Sequence, residues 1–141
     1  MKIERALVDT GPIVAILRKS DSNHLACSEA LKRIRRPAPT CWPVVTEAAW
    51  ILRKDRRAVK KLFRFFEQGV FQVLTIEPGA TGWLSAFFDR FSDHEPQLAD
   101  ALLVYLAERE GIDLVFTVDV ADFSIYRTSS RKALQVLPAP T

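Results

Sequence analysis

The sequence predicts a three-layer α/β domain in which helices flank a mostly parallel central sheet. Strand-like and helix-like segments alternate along the chain, which is typical of βαβ units. The apolar segment Leu114 to Val118 shows no alternation of polar and apolar residues, as expected of a strand covered on both faces. A length of 141 residues and a hydrophobic content of 48% suit one globular domain, which we predict to span residues 1–141.

The N-terminal elements are predicted from residues that start helices. Ile3 to Val8 has the composition of a strand, and a short helix is expected from Pro12 because proline suits a first helical turn. Ser20 or Asp21 is a suitable N-cap for a second helix that reaches about Arg36. A proline-rich stretch after this helix should end it.

The middle of the chain is predicted to hold a short strand and two helices. The strand is expected at Thr40 to Trp42, and Pro43 then opens a helix over Val44 to Lys54. Asp55 is a suitable cap for the next helix, whose apolar residues recur at helical spacing. Gly69 should end that helix.

The C-terminal half is predicted to continue the alternation. Phe71 to Ile76 resembles a strand, and helices are expected from Pro78 to about Phe91 and from Pro96 to Glu110. Gly111 should end the last of these helices. Beyond the apolar strand described above, Leu134 to Leu137 is predicted to add an edge strand.

Composition excludes several classes of protein. Cys27 and Cys41 lie in no C-x-x-C pattern, which indicates neither a disulfide framework nor a zinc site, and Cys27 falls on an apolar helical stripe. Apolar runs such as Ala101 to Ala107 are too short to span a bilayer, and no secretory leader is recognisable. We therefore expect a soluble, cytoplasmic protein without membrane contact. Its net charge of +3 permits a polyanionic partner without requiring one.

Two aspartates each follow a predicted strand directly. Asp9 ends Leu7-Val8-Asp9, and Asp119 ends Phe116-Thr117-Val118-Asp119. In a parallel sheet both lie at the carboxyl edge, where open α/β folds place their sites. Each aspartate alone is more often a helix cap or turn residue.

Two further acids lie within apolar helices. Glu47 is embedded in Val44 to Leu52 and Asp100 in Leu98 to Val104, and both helices are apolar nearly all round, so these carboxylates should face protein. Burying an unpaired carboxylate is costly. Either each acid pairs with an arginine or a backbone donor, or all four acids share a cation, which is the simpler solution.

The ligand type indicates which cation. Oxygen donors without cysteine or histidine suit Mg²⁺ or Mn²⁺ rather than zinc. Such an ion keeps water ligands, can orient a phosphodiester and can activate an attacking water. Crowded carboxylates should also have raised pKa values without the metal.

The same residues resemble a known family. Leu7-Val8-Asp9-Thr10-Gly11-Pro12, Val45-Thr46-Glu47, Leu98-Ala99-Asp100-Ala101 and Phe116 to Phe123 are similar, in order and spacing, to PIN domains, and more narrowly to the VapC-type toxins of type II toxin–antitoxin pairs. The resemblance covers essentially the whole chain. It implies a PIN-like parallel sheet flanked by helices and a Mg²⁺- or Mn²⁺-dependent endoribonuclease, a hydrolase of phosphodiester bonds. It also implies an RNA substrate, a homodimer and a cognate antitoxin protein.

The resemblance further implies roles for individual residues. Asp9 and Asp100 would be the principal metal ligands, Glu47 would complete the acidic pocket, and Asp119 would be the fourth acid. Supporting positions are, on the same basis, Thr117, Thr10 and Asp122. Asp122 either joins the rim of the site or caps a short helix, whereas Asp93 is expected to cap the helix that carries Asp100.

Alternatives to a toxin ribonuclease remain open. The domain could bind RNA or regulate without cleavage, or it could be an RNA-processing or DNA nuclease. Basic residues cluster on two predicted helices and could flank an RNA path, although solvated helix faces explain most of them. Those residues are Lys32, Arg33, Arg35 and Arg36 on the second helix, and Arg56, Arg57, Lys60, Lys61 and Arg64 on the fourth.

His24 and His94 are expected to have surface or capping roles.

Overall fold

Every pairing between strands is parallel in the computed structural model of this protein, which describes residues 3–138. A three-stranded sheet has the order β1-β4-β5, and a two-stranded sheet pairs β2 with β3. The predicted mostly parallel sheet is therefore confirmed. The strands are β1 (Leu7–Val8), β2 (Ala38–Thr40), β3 (Phe71–Val73), β4 (Leu114–Phe116) and β5 (Gln135–Leu137).

The two sheets lie side by side through β1 and β2. The buried hydroxyl of Thr40 donates a hydrogen bond to the carbonyl oxygen of Val8 over 2.7 Å. Because Val8 also lies opposite Phe116 in the parallel register, β1 is held between β2 and β4. The ends of β1 and β4 are thereby aligned, which positions the residues that follow them.

Helices lie between the strands in the chain, as predicted for a three-layer α/β domain. Helix α1 contacts three other helices, and the buried helix α6 contacts β1. Short 3₁₀ helices precede and follow α5, at Pro78–Ala80 and Ser92–His94. The α-helices among the described residues are α1 (Thr10–Leu17), α2 (His24–Leu31), α3 (Trp42–Ile51), α4 (Arg56–Glu67), α5 (Thr81–Arg90), α6 (Leu98–Glu110) and α7 (Val120–Ile125).

Several helix ends agree with the expected signals. Asp55 caps α4, because its carboxylate accepts hydrogen bonds from the backbone N–H groups of Arg57 and Ala58. Gly69 and Gly111 follow α4 and α6 with φ values of 75° and 67°. Since the left-handed region is costly for side-chain-bearing residues, glycine suits both positions.

The second helix is shorter than predicted at both ends. The carboxylate of Asp21 accepts from the backbone N–H of Asn23, which makes a local turn in place of a cap, and α2 begins only at His24. Beyond Leu31, the chain leaves the helix because Ile34 forms a parallel bridge with Glu4. Pairing with the N-terminal segment therefore replaces the last predicted helical turn.

The second strand lies two residues earlier than predicted. It covers Ala38–Thr40 and not Thr40 to Trp42, since Trp42 is already the first residue of α3. The reason is the position of Pro43, which occupies the first turn of that helix. Cys41 is consequently the extended residue that caps α3.

Helix α6 and helix α3 differ in how much of their surface is covered. Within α6, the segment Ala101 to Val104 is buried, as the sequence predicts. On α3, however, Trp42 and Trp50 are 62% and 65% exposed, so the apolar composition of this helix does not mean that all of its apolar side chains are covered. The covered face of α3 is formed by its other apolar residues, including Val44 and Ala48.

An aromatic cluster joins α5 to the segment after β4. The rings of Phe87 and Tyr126 lie 5.3 Å apart, and Phe91 and Phe123 contact Tyr126 at 5.4 and 5.5 Å.

Cys27 is fully buried, as expected from its position on an apolar helical stripe. Within residues 3–138, no helix is long and apolar enough to cross a membrane.

Candidate functional site

The four predicted acids line one pocket of about 290 Å³ at the carboxyl ends of β1 and β4. Asp9, Glu47, Asp100 and Asp119 come from four separate parts of the chain, and Asp122 also lines the pocket. The structure therefore brings the whole predicted set together. A different part of the local structure holds each acid in place.

Asp9 is held by the register of the sheet. Its backbone N–H donates to the carbonyl of Phe116 over 2.9 Å, which continues the β1–β4 pairing by one residue. This places Asp9 Oδ2 2.7 Å from the hydroxyl of Thr117, which donates to it. Asp9 Oδ1 accepts from the backbone N–H of Thr10 over 2.8 Å at the start of α1. Both carboxylate oxygens are therefore oriented, and Asp9 is a helix cap and a pocket residue together.

Thr117 also orients the loop that carries Asp119. Its Oγ accepts from the backbone N–H of Asp119 over 2.9 Å while it donates to Asp9. The side chain of Asp119 caps α7 by accepting from the backbone N–H of Asp122 over 3.4 Å. Asp122 therefore lies in the first turn of α7 and at the pocket, and Asp119 takes the capping role.

Asp100 and Glu47 reach the pocket from helices. Asp100 lies in the first turn of α6 between the buried residues Ala99 and Ala101, and its Oδ2 accepts from the phenol of Tyr126 over 3.3 Å. Tyr126 is itself 1% exposed. Glu47 is half-buried on α3, beside the covered face of that helix.

Three carboxylates of the pocket, Asp9, Asp100 and Asp122, have raised pKa values. Burial raises the pKa of Asp9, and the charges of Glu47 and Asp119 add to this, although the hydrogen bonds from Thr117 and Thr10 oppose it. The pKa of Asp100 is raised to about 7, first by burial and then by the charges of Asp9 and Asp122. The side-chain hydrogen bond with Asp119 is the main cause of the raised pKa of Asp122. The pocket therefore favours bound positive charge.

The donor set fits a hard divalent cation that retains water. No lysine or arginine lines the described part of the pocket, whose ionisable groups are carboxylates, His94 and the phenol of Tyr126. The hydroxyl of Thr10 is buried there without a protein partner among the described residues, so it is available to a bound group. Within residues 3–138, no three acidic, imidazole or thiol groups converge closely enough to form a complete set of direct ligands. Mg²⁺ and Mn²⁺ suit such a site, because Mg²⁺ keeps several waters and binds through one or two carboxylates.

The α5–α6 connection supplies pocket residues that sequence reasoning missed. His94, Glu95 and Gln97 line the pocket, although His94 was expected to have only a surface or capping role. The expectation that Asp93 caps α6 was wrong, because Asp93 lies in the 3₁₀ helix Ser92–His94 and the cap position belongs to Gln97. A left-handed residue at Glu95, with φ of 47°, separates the two helices. For His94 and Glu95, only the predicted position in the loop before an acid-bearing helix could have suggested a place at the pocket.

The raised pKa values predict how stability depends on pH without metal. The pKa of Asp100 is about 7 in the folded protein, whereas the ordinary value for an aspartate is 3.8. Between these two pH values the folded state therefore binds more protons than the unfolded state. The free energy of unfolding should therefore fall as the pH rises through this interval, and Asp9 contributes in the same direction. Thermal unfolding in EDTA should show a Tm that falls from about pH 5 to about pH 8.

Two further measurements test this pH dependence. A divalent cation binds the deprotonated carboxylates, so the increase in Tm caused by Mg²⁺ or Mn²⁺ should grow over the same interval. Replacing Asp100 by asparagine should make the Tm in EDTA depend less on pH over this interval. A Tm in EDTA that rises over this interval would contradict the assignment of the raised pKa to Asp100.

Comparison with known proteins places this geometry in context. A family model described as the PIN domain matches residues 6–127. The structure is similar to that of Mycobacterium tuberculosis VapC20, described as a toxin that cleaves the sarcin–ricin loop, with a TM-score of 0.72 and 18% sequence identity. The match covers 83% of this chain and 93% of that protein, and at this identity it shows a shared fold. A sequence comparison with curated proteins gave no significant match.

Proposed function

This chain belongs to the PIN domain family, and we propose that residues 1–141 act as a single endoribonuclease domain that depends on Mg²⁺ or Mn²⁺. The observation that carries this proposal is the pocket itself. Four acids, which follow β1, lie on α3 and α6 and cap α7, line one cavity without a lysine or arginine in its described lining. Such an arrangement is costly unless a cation is bound, and a cation in an open pocket can serve phosphodiester hydrolysis.

Asp9 and Asp100 are the proposed principal metal ligands, with Glu47 and Asp119 completing the acidic set. Burial raises the pKa values of Asp9 and Asp100, so a neighbouring cation would stabilise the ionised form of each of these carboxylates. When bound, the metal would polarise a phosphoryl oxygen and lower the pKa of a water ligand. Glu47 is half-buried at the pocket and is the proposed group that accepts a proton from the attacking water.

The supporting residues keep the carboxylates in place. Thr117 and the backbone N–H of Thr10 fix both oxygens of Asp9, which limits the rotation of that carboxylate. Tyr126 donates to Asp100, and this leaves one oxygen of Asp100 free of protein donors among the described residues. Asp122 lies at the rim beside Asp119. Groups that orient metal ligands in this way commonly affect affinity and activity by about 10–100-fold.

The biological setting we propose is that of a VapC-type toxin in a type II toxin–antitoxin pair. The similarity in fold to a toxin described as cleaving the sarcin–ricin loop supports an RNA substrate and a cognate antitoxin protein as partners. A homodimer and action in the cytoplasm belong to the same proposal.

Cleavage of labelled total RNA by the purified chain tests the proposed function. We expect fragments in Mg²⁺ or Mn²⁺, none in EDTA, and none from Asp9→Asn in either metal. Asparagine keeps the oxygen that accepts from the N–H of Thr10, so the variant should still fold. If the folded protein, free of any antitoxin, bound RNA without cutting it under all these conditions, the chain would be an RNA-binding module and the proposal would fail.

A further inference from the structure

The turn that follows α3 and the first half of α4 form an open groove of about 560 Å³ outside the acidic pocket. We call it the α3–α4 groove. Four of the residues that line it are cationic and one is aromatic. The lining residues are Arg53, Arg56, Arg57, Val59, Lys60 and Phe63.

The cations of the groove are not neutralised by the described residues around them. Within residues 3–138, none of the four lies in an ion pair with a carboxylate. The acid between them, Asp55, directs its carboxylate to the backbone N–H groups of Arg57 and Ala58 as the cap of α4. The α3–α4 groove therefore presents concentrated positive charge, which matches a polyanion.

Aromatic rings lie exposed beside these cations. Phe63 is 45% exposed within the groove, and Trp50 is 65% exposed on the last turns of α3. The guanidinium of Arg53 lies 3.9 Å from the centre of the Trp50 ring. Exposed aromatic rings interleaved with cations are what single-stranded nucleic acids require, because the rings stack on bases while the cations contact phosphates.

Helix α3 connects the acidic pocket to the α3–α4 groove along the chain. Glu47 lines the pocket, and Trp50 follows it at the i+3 position, so the two side chains are neighbours on the surface of α3. Arg53 lies in the turn that follows α3, two residues after the last residue of that helix. Along the chain, Trp50 therefore lies between the pocket residue Glu47 and the first cation of the groove.

The pocket alone provides little attraction for RNA. Its described lining carries the carboxylates that repel phosphate and has no lysine or arginine, and a bound divalent ion offsets only part of this charge. Affinity for a polyanion must come from cations outside the pocket. We propose that the α3–α4 groove, with Trp50, docks single-stranded RNA on its way into the pocket; this rests on the proposed ribonuclease function.

Binding of a fluorescent single-stranded RNA of about 20 nucleotides, measured by anisotropy in EDTA, tests this role. The double variant Arg57→Ala/Lys60→Ala should weaken binding and reduce the slope of log Kd against log salt by about 1.4, since each phosphate contact contributes about 0.7 on single strands. Trp50→Ala should weaken binding about tenfold with little change in the salt slope, because stacking is not ionic.

A matched control removes the same charge elsewhere. Lys19 and Arg33 are exposed and line none of the described pockets, so Lys19→Ala/Arg33→Ala should leave the salt slope close to that of the unchanged chain. Equal effects of the two double variants would overturn the proposal, because binding would then follow only net charge.

The remaining outcomes separate the groove from the nuclease. If the unchanged chain cuts RNA but the groove variants bind RNA as well as it does, the docking role is refuted and the nuclease stands. If the groove variants lose RNA binding while no RNA is cut by any form, the docking role stands and the nuclease fails. If the variants instead change only the mass measured by light scattering, the α3–α4 groove is an interface between copies of the chain and the proposal is wrong.

Discussion

Replacing Asp100 by asparagine is expected to reduce metal-dependent RNA cleavage by at least about 100-fold, which exceeds the usual effect of groups that only support a ligand. Asparagine preserves the shape of the side chain and can still accept the hydrogen bond from Tyr126. It lacks the negative charge that a divalent cation requires. Initial rates of cleavage in saturating Mn²⁺ measure the effect.

The same substitution should stabilise the metal-free protein. Burial and the charges of Asp9 and Asp122 raise the pKa of Asp100 to about 7, so above that pH the folded state carries an ionised carboxylate that burial and the neighbouring charges disfavour. Removing the charge should increase the free energy of unfolding in EDTA at about pH 8 by roughly 1 kcal/mol, after allowance for its partial exposure. The Tm should rise by about 3–5 °C for a domain of this length.

Asp89→Asn provides the matched control for Asp100→Asn. Asp89 is exposed on α5 and lines none of the described pockets, so its substitution removes one charge without touching the site. We expect unchanged cleavage and unchanged stability for this variant. If Asp100→Asn folded and cut RNA at the original rate, Asp100 would have no part in metal binding or catalysis.

Replacing Thr117 by valine is expected to produce the next largest loss of activity. The Thr117 hydroxyl donates to Asp9 Oδ2 and accepts from the N–H of Asp119, and valine can do neither. Asp9 would lose one of its two orienting donors, so we expect the metal concentration for half-maximal cleavage to increase about 10–100-fold. Because Thr117 is fully buried, the unpaired groups should also cost about 1–3 kcal/mol of stability.

Thr117→Ser separates the effect of the Thr117 hydrogen bonds on Asp9 from the effect of the Thr117 methyl group on packing. Thr117→Ser retains the hydroxyl and loses one methyl group, so it should keep a metal requirement close to that of threonine while losing about 1 kcal/mol of stability. A metal titration of cleavage compares the three proteins. Valine and threonine proteins with the same metal requirement would show that Asp9 does not depend on this hydrogen bond.

The acids of the site could be found from the sequence because each has a local signal. Asp9 and Asp119 directly follow apolar strand segments, and Asp100 interrupts an apolar helix where a charge needs compensation. Their roles as metal ligands remain predictions, whereas their convergence on one pocket is a property of the fold. The sequence also offered a helix-capping role for Asp9 and Asp119, and both residues cap a helix in the structure.

Other parts of the site have no local signal. His94 and Glu95 reach the pocket only because the α5–α6 connection returns to the strand ends, and no pattern around these residues indicates that path. The exposure of Trp50 on α3 is a second example, because an apolar composition suits both a covered and an uncovered helix face. Which of the two occurs depends on the elements packed against that face.

By itself, then, the sequence determined the alternation of strands and helices, the helix boundaries at Asp55, Gly69 and Gly111, and an oxygen-rich set of candidate ligands. These features depend on interactions within a few residues, such as caps, turns and apolar periodicity. Only the tertiary structure decided that Val8 lies opposite Phe116, so that Thr117 meets Asp9 across more than a hundred residues of chain. Contacts of this kind follow from strand register and packing, which short segments of sequence do not encode on their own.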